Sequence, residues 1–118
     1  MGMDVHGRSG NYFRNNCWWW RPLWNFVANE CKEVISEKDY ERGSYNDGFL
    51  VDYEKCEVIV EKLQKLVDDG SVKEYEKLYQ KHLDSLPEDD FDRHYPFSEE
   101  NVIEFINFVK ESEGFEIW

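Results

Sequence analysis

The stretch C-W-W-W-R-P-L-W, Cys17 to Trp24, places four of the chain's five tryptophans within seven residues. Pro22 divides this stretch, because proline suits the first turn of a helix, where its missing N–H would have no partner in any case. The residue before a proline is biased toward an extended backbone. The sequence therefore predicts a helix that begins at Pro22, preceded by an extended or turn segment that carries the first three tryptophans.

These tryptophans cannot all enter one core from one side. Consecutive side chains point to opposite faces of an extended segment, and three of them spread over about 200° of a helix. Burial of one ring removes roughly 150–250 Å² from water, worth about 4–6 kcal/mol as an upper bound. We expect Trp20 and Trp24 to lie in the core. The remaining Trp18, Trp19 and Arg21 are predicted to line a ligand site or an interface, with a corner of the core as the alternative.

Hydrophobic periodicity outside this stretch predicts an α+β fold that is mainly α, in a single domain over residues 1–118. Apolar and polar residues alternate at 3–6 and 115–118, so both ends are predicted to be short strands that are candidates for pairing with each other. The predicted helices cover about residues 22–36, 53–69, 71–86 and 99–113. The predicted linkers cover residues 37–50 and 87–97.

Three local signals mark where predicted helices begin. Asp52 and Ser98 are residue types favoured as N-caps. Ser71-Val-Lys-Glu74 has the spacing of a capping box, in which hydroxyl and carboxylate each accept a backbone N–H. We therefore expect the second, third and fourth helices to start at these points.

The composition predicts a folded protein of the cytoplasm. Hydrophobic residues make up 41% of 118, which is enough for one core. No apolar run reaches the roughly 18 residues of a membrane span, and the N-terminus lacks a signal-peptide pattern. The three cysteines form no C-x-x-C pair and are expected to be reduced and structural.

Catalytic and metal-binding patterns are missing from the sequence. None of the three histidines lies at the spacing of a zinc site from a cysteine or a carboxylate. The sequence also has no nucleophile motif and no glycine-rich phosphate loop. We therefore predict no catalytic residue, no metal and no cofactor, and enzymatic activity is disfavoured.

The charge is strongly negative and unevenly distributed. Of the net −12, residues 1–36 carry four basic and three acidic side chains, and residues 37–118 carry ten basic and 23 acidic ones. Such a field disfavours direct binding to nucleic acid or membranes and favours a basic protein partner. The alternative is that the acidity serves solubility alone.

The densest acidic segment is Glu88-Asp89-Asp90-Phe91-Asp92, which follows a proline in the second linker. Its four carboxylates around one aromatic ring are predicted to bind a partner by resembling a row of phosphates. Weak binding of a divalent cation and a plain solvated loop are the alternatives.

Four blocks of the sequence are distinctive: M-G-M-D-V-H-G at 1–7, Y-F-R-N-N-C-W-W-W-R-P-L-W at 12–24, N-D-G at 46–48 and P-F-S-E-E-N-V-I-E-F-I-N-F-V-K-E-S-E-G-F-E-I-W at 96–118. In these blocks the chain resembles a family of small uncharacterised proteins of phages and bacterial genomes. Longer family members have a cysteine-rich insertion before the last helix and a longer Asn-Asp-Gly-Asp-Gly turn. This chain has neither, so no metal site is carried over. The resemblance implies a phage or mobile-element context and no particular activity.

Two functions follow as hypotheses. The first is a non-enzymatic inhibitor that binds a basic host protein, such as a nucleic-acid-binding defence effector, in the manner of an anti-CRISPR protein. The second is a small-ligand binder in which Trp18, Trp19 and Arg21 hold a nucleotide-like molecule and Asp47, in the predicted Asn46-Asp47-Gly48 turn, bonds a hydroxyl.

Overall fold

A computed structural model describes residues 2–45 and 48–118 of the chain. It has five α-helices and a four-stranded antiparallel sheet, so the α+β, mainly α class is confirmed. The elements in chain order are β1 (Gly2–Gly7), β2 (Tyr12–Asn16), α1 (Cys17–Glu30), α2 (Glu37–Gly43), β3 (Phe49–Val51), α3 (Tyr53–Asp68), α4 (Ser71–Ser85), a 3₁₀ helix (Phe91–His94), α5 (Glu99–Ser112) and β4 (Phe115–Ile117).

The two ends of the chain pair with each other in the middle of the sheet. The strand order is β2-β1-β4-β3, and β1 meets β4 antiparallel with Val5 opposite Ile117. The predicted terminal strands are therefore confirmed, whereas β2 and β3 were not predicted. One face of the sheet is buried under the helices, and its side chains are Met3, Val5, Phe13, Phe49, Val51, Phe115 and Ile117.

The first helix begins five residues earlier than predicted. Asn16 is its N-cap, and its side-chain oxygen accepts hydrogen bonds from the backbone N–H groups of Trp18 and Trp19, each at 3.1 Å. Pro22 therefore lies inside the helix, where it lacks the N–H that would bond to the carbonyl four residues back. The prediction of an extended approach was wrong because the cap and the burial of apolar side chains outweigh the local preferences around the proline.

Residues 37–43, predicted as part of a linker, form α2. A capping box of Ser36 and Asp39 starts this helix. It packs on α1, where the indole N–H of Trp20 donates to the Gly43 carbonyl and that of Trp24 donates to the Tyr40 carbonyl, both at 2.9 Å. The short helix thus provides the acceptors that the two buried indoles need.

Replacing Gly43 with alanine is expected to destabilise the protein by about 1–3 kcal/mol, because the added methyl group would overlap the indole of Trp24. Urea unfolding followed by circular dichroism measures the change. Glu41→Ala, at an exposed position of the same helix, is the control and should change stability by less than about 0.5 kcal/mol. Equal stability of the two variants would contradict this packing.

The other helix starts are largely as predicted. Asp52 and Ser98 are the N-caps of α3 and α5, accepting from the backbone N–H groups of Lys55 and Asn101. The prediction of a capping box at Ser71 was wrong. Gly70, in the left-handed conformation (φ 84°), is the N-cap, and Ser71 is already helical. Within residues 2–45 and 48–118, none of the helices combines the length and the apolar character that a membrane span requires.

Candidate protein-binding surface

The tryptophan stretch divides between core and surface. Trp20 and Trp24 are 2% and 1% exposed, and their rings stack at 5.5 Å with an interplanar angle of 11°. Because α1 turns by 100° per residue, Trp18 and Trp19 point to other sides of the helix, and both are half-buried. The expected split of the four rings is confirmed, although the backbone that produces it is helical.

Trp18 packs against the segment that follows α4. Its ring lies 4.8 Å from Tyr95, 5.0 Å from Phe91 and 5.8 Å from His94 between centroids, in tilted or edge arrangements. Such geometries are favourable for aromatic pairs. Phe91 is nevertheless 62% exposed, so the cluster is a platform at the surface and not part of the core.

Tyr95 is the residue that fixes this platform to the rest of the molecule. Its backbone carbonyl accepts a 2.7 Å hydrogen bond from the hydroxyl of Tyr79 on α4. Burial, the largest effect, raises the pKa of Tyr79 to about 12, so this hydroxyl stays protonated and remains a donor at neutral pH. The guanidinium of Arg21 lies over the Tyr95 ring at 5.3 Å and donates to its hydroxyl at 3.4 Å. Arg21 is thus engaged with Tyr95, whose ring already has a cation over it.

The acidic segment adjoins the same platform. Asp90 caps the 3₁₀ helix by accepting from the backbone N–H of Asp92 at 2.9 Å, and Phe91 lies between these two residues in the sequence. The guanidinium of Arg93 donates to the carbonyl of Leu86 at 3.3 Å. In the part of the chain that the structure describes, the ion pairs are Arg14–Asp4 and Lys55–Asp39. The carboxylates of the acidic segment therefore have no salt-bridge partner there.

Two predicted sites, far apart in the sequence, therefore form one surface. We call it the aromatic–acidic surface and define it by Trp18, Trp19, Glu88, Asp89, Asp90, Phe91 and Asp92. A shallow cavity of about 550 Å³ lies within it, lined by Asn16, Trp18, Trp19, Phe91, His94 and Pro96. His94, Tyr95 and Pro96 were not predicted as site residues, because their role depends on contacts with α1 that no local pattern signals.

Two predicted site residues are not part of this surface. Asp47 lies outside the described residues together with Asn46. Its proposed contact with a ligand hydroxyl is therefore untested. Arg21 was predicted to pair with a ligand, and in the structure it contacts Tyr95 instead.

A second concavity, of about 540 Å³, lies where α1 meets the start of α2. It is lined by Asn25, Ala28, Asn29, Lys32, Ile35, Ser36, Glu37 and Tyr40. None of these residues was predicted to be functional. The lining mixes apolar and polar side chains, and its charged members are Lys32 and Glu37.

Neither a metal site in the described residues nor a comparison with known proteins assigns a function to this chain. No group of three or more histidine, cysteine or acidic side chains within residues 2–45 and 48–118 is arranged to hold a metal ion. Comparison with protein-family models, with curated proteins and with solved structures finds no match to this chain.

Proposed function

We propose that this chain is a non-enzymatic, phage- or mobile-element-encoded protein that binds and inhibits a basic host protein. The partner we favour is a nucleic-acid-binding defence effector, which would make the chain an anti-CRISPR-like inhibitor. The observation that carries the proposal is the exposed ring of Phe91, which packs against Trp18 and lies between Asp90 and Asp92 in the sequence.

An aromatic side chain at the centre of a patch is a common source of binding energy in protein interfaces. Truncation of such residues typically costs 2 kcal/mol or more, whereas charged residues at the rim mainly set rate and specificity. Phe91 has the exposure of such an anchor, and its contacts with Trp18, His94 and Tyr95 hold it in place before binding. A preformed anchor loses little conformational entropy when a partner binds.

The charge of the surface indicates the sign of the charge on the partner. Four carboxylates lie within five consecutive residues, and the chain as a whole carries −12. This field repels phosphates and attracts the basic surfaces that proteins use to hold nucleic acid. The resemblance to small phage and bacterial proteins supports a host protein as the partner.

Retention of host proteins on the immobilised chain tests the proposal. The wild-type chain is compared with Asp89→Lys/Asp92→Lys while bacterial lysate is applied at low salt and released by a rising salt gradient. We expect a basic protein that is retained by the wild type, is released as salt screens the charges, and is lost from the double variant.

Glu54→Lys/Glu57→Lys is the matched control. Asn16, which lines the cavity of the aromatic–acidic surface, pairs with Gly2 at one end of β1. Val51, just before α3, pairs with Phe115 of β4, and Phe115 pairs with Gly7 at the other end of β1. The start of α3 is therefore remote from the aromatic–acidic surface, and the control has the same change in net charge. Equal retention by both double variants would contradict the proposal.

A second candidate function is binding of a nucleotide-like molecule in the 550 Å³ cavity. The observation in its favour is the lining of the cavity by Trp18, Trp19 and Phe91, onto which a base could stack. The neighbouring carboxylates would repel its phosphates, so we rank this function second. Quenching of tryptophan fluorescence by a nucleotide, lost in Trp18→Ala, would favour it over the first.

A further inference from the structure

We infer that two copies of this chain associate through the outer face of α4, packed antiparallel about a twofold axis that passes through Leu78. This face is distinct from the aromatic–acidic surface, and its occupant is a second copy of the chain, which goes beyond the proposed function. In this register, Glu74 of each copy meets Lys81 of the other.

α4 packs on the core with one side and leaves the other side open to solvent. Val72 and Leu83 on the packed side are 0% and 6% exposed, and Tyr75 and Tyr79 are half-buried beside them. Leu78, the middle residue of the fifteen in the helix, is 59% exposed. The open side therefore has a large apolar side chain at its midpoint.

Polar residues surround Leu78 in an order that differs between the two halves of the helix. Residues three, four or seven positions apart lie within about 60° of each other around a helix axis. Around Leu78 the exposed residues at these positions are Ser71 and Glu74 on the N-terminal side and Lys81, His82 and Ser85 on the C-terminal side. The face thus carries its acid in one half, its lysine in the other and a small residue at each end.

This order is complementary to itself under a twofold axis, which is what a symmetric dimer requires of a surface. In an antiparallel pair centred on Leu78, each residue faces the one that lies equally far from Leu78 on its other side. Ser71 of one copy then faces Ser85 of the other, and their small size lets the helices approach closely. Glu74 comes within about one residue's rise of Lys81, so the dimer contains two symmetric contacts between opposite charges.

Glu74 and Lys81 are available for these contacts. Neither side chain takes part in an ion pair within residues 2–45 and 48–118. A parallel pair of helices would place like charges opposite each other, which costs free energy. The charges therefore select the antiparallel arrangement.

The contact is small, so the dimer is expected to be weak. Fifteen residues of helix are about 22 Å long and present a face about 10 Å wide, which is well below the size of a standard interface. Each copy also carries a net charge of −12, which opposes association until salt screens it. We expect a dissociation constant on the order of 0.1–1 mM at about 0.15 M salt.

Sedimentation equilibrium of the full chain at this ionic strength, up to a concentration of about 2 mM, tests the inference. The average mass should rise from that of one chain toward that of two. Glu74→Lys and Lys81→Glu should each weaken the dimer at least about tenfold, since each replaces two attractive contacts with two repulsive ones. Both residues are exposed, so each variant should keep the circular dichroism spectrum and melting temperature of the wild type.

A mixture of these two variants is the decisive sample. In a mixed pair, the lysine introduced at position 74 meets the glutamate introduced at position 81, and the native Lys81 of one copy meets the native Glu74 of the other. Every contact is again between opposite charges. The mixture should therefore dimerise about as tightly as the wild type, at concentrations where each variant alone is monomeric.

Asp84→Lys and Lys73→Glu are the matched controls. They make the same changes in charge at exposed positions of the same helix, about 120° and 140° around its axis from Leu78. Each should dimerise within about threefold of the wild type.

Three results would overturn the inference: a wild-type chain that stays monomeric, a mixture of Glu74→Lys and Lys81→Glu that stays monomeric, or an equal loss in the controls. Loss of the retained host protein from Glu74→Lys, with a monomeric wild type, would also overturn it and would assign this face to that protein.

Discussion

Trp20→Ala is expected to lower the free energy of unfolding by about 3–5 kcal/mol, the largest change from any single substitution that we predict. Trp20 is 2% exposed, stacks on Trp24 and meets the edge of Phe105 at 6.0 Å. Its loss leaves a cavity in the centre of the core and leaves the Gly43 carbonyl without its indole donor. Urea unfolding with a fluorescence or circular dichroism readout measures the effect.

Trp18→Ala is the matched comparison, since it removes the same side chain from the same helix at a half-buried position. We expect a cost of about 1–2 kcal/mol, because the ring is half-buried and packs against Phe91 and Tyr95 of the surface platform. If the two variants lost equal stability, the division of the tryptophan stretch into core and surface would be wrong.

The second large effect concerns binding. We expect Phe91→Ala to weaken the affinity for the retained host protein by about 30-fold or more, equivalent to roughly 2 kcal/mol. The reason is that Phe91 is an exposed ring of the platform and has Asp90 and Asp92 as its neighbours in the sequence. The dissociation constant at fixed salt is the quantity to measure, with the purified partner titrated into each variant.

Tyr53→Ala, which truncates another exposed ring beside acidic residues, should leave the affinity within about twofold. Stability changes are excluded as the cause if both variants unfold at the same urea concentration as the wild type. An unchanged affinity in Phe91→Ala would place the interface elsewhere on the chain.

Much of the core was predictable because it follows from local spacing. Trp20 and Trp24 are one helical turn apart, so they share a face whether or not the preceding backbone is helical. The N-caps Asp52 and Ser98 were found because a cap depends only on residues within the first turn. The terminal strands alternate apolar and polar residues with period two, which is also a local signal.

The errors arose where a contact distant in the sequence outweighs a local preference. Pro22 predicted a helix start, but the Asn16 cap and the stacked indoles extend the helix past it. α2 has few apolar residues, and its place in the fold comes from the indole N–H groups of another helix.

The same reason explains why the two candidate sites looked separate. Trp18 and Phe91 are 73 positions apart, and their contact depends on the path of the segment between α4 and α5. One anchor of that path is a pair of amide hydrogen bonds between Asn15 and Asn101, at 3.1 and 2.9 Å, which join the end of β2 to the first turn of α5. No periodicity in the sequence predicts such a pair, so the acidic segment and the tryptophans were assigned to different hypotheses.

Fluorine NMR of the chain labelled with 5-fluorotryptophan, titrated with the retained host protein, tests the central claim most directly. The five tryptophans report on three regions, since Trp20 and Trp24 are in the core, Trp18 and Trp19 are in the aromatic–acidic surface, and Trp118 lies at the end of the sheet. We predict that the Trp18 and Trp19 resonances shift on binding while those of Trp20, Trp24 and Trp118 stay in place. A shift of the Trp118 resonance with those of Trp18 and Trp19 unchanged would contradict the account.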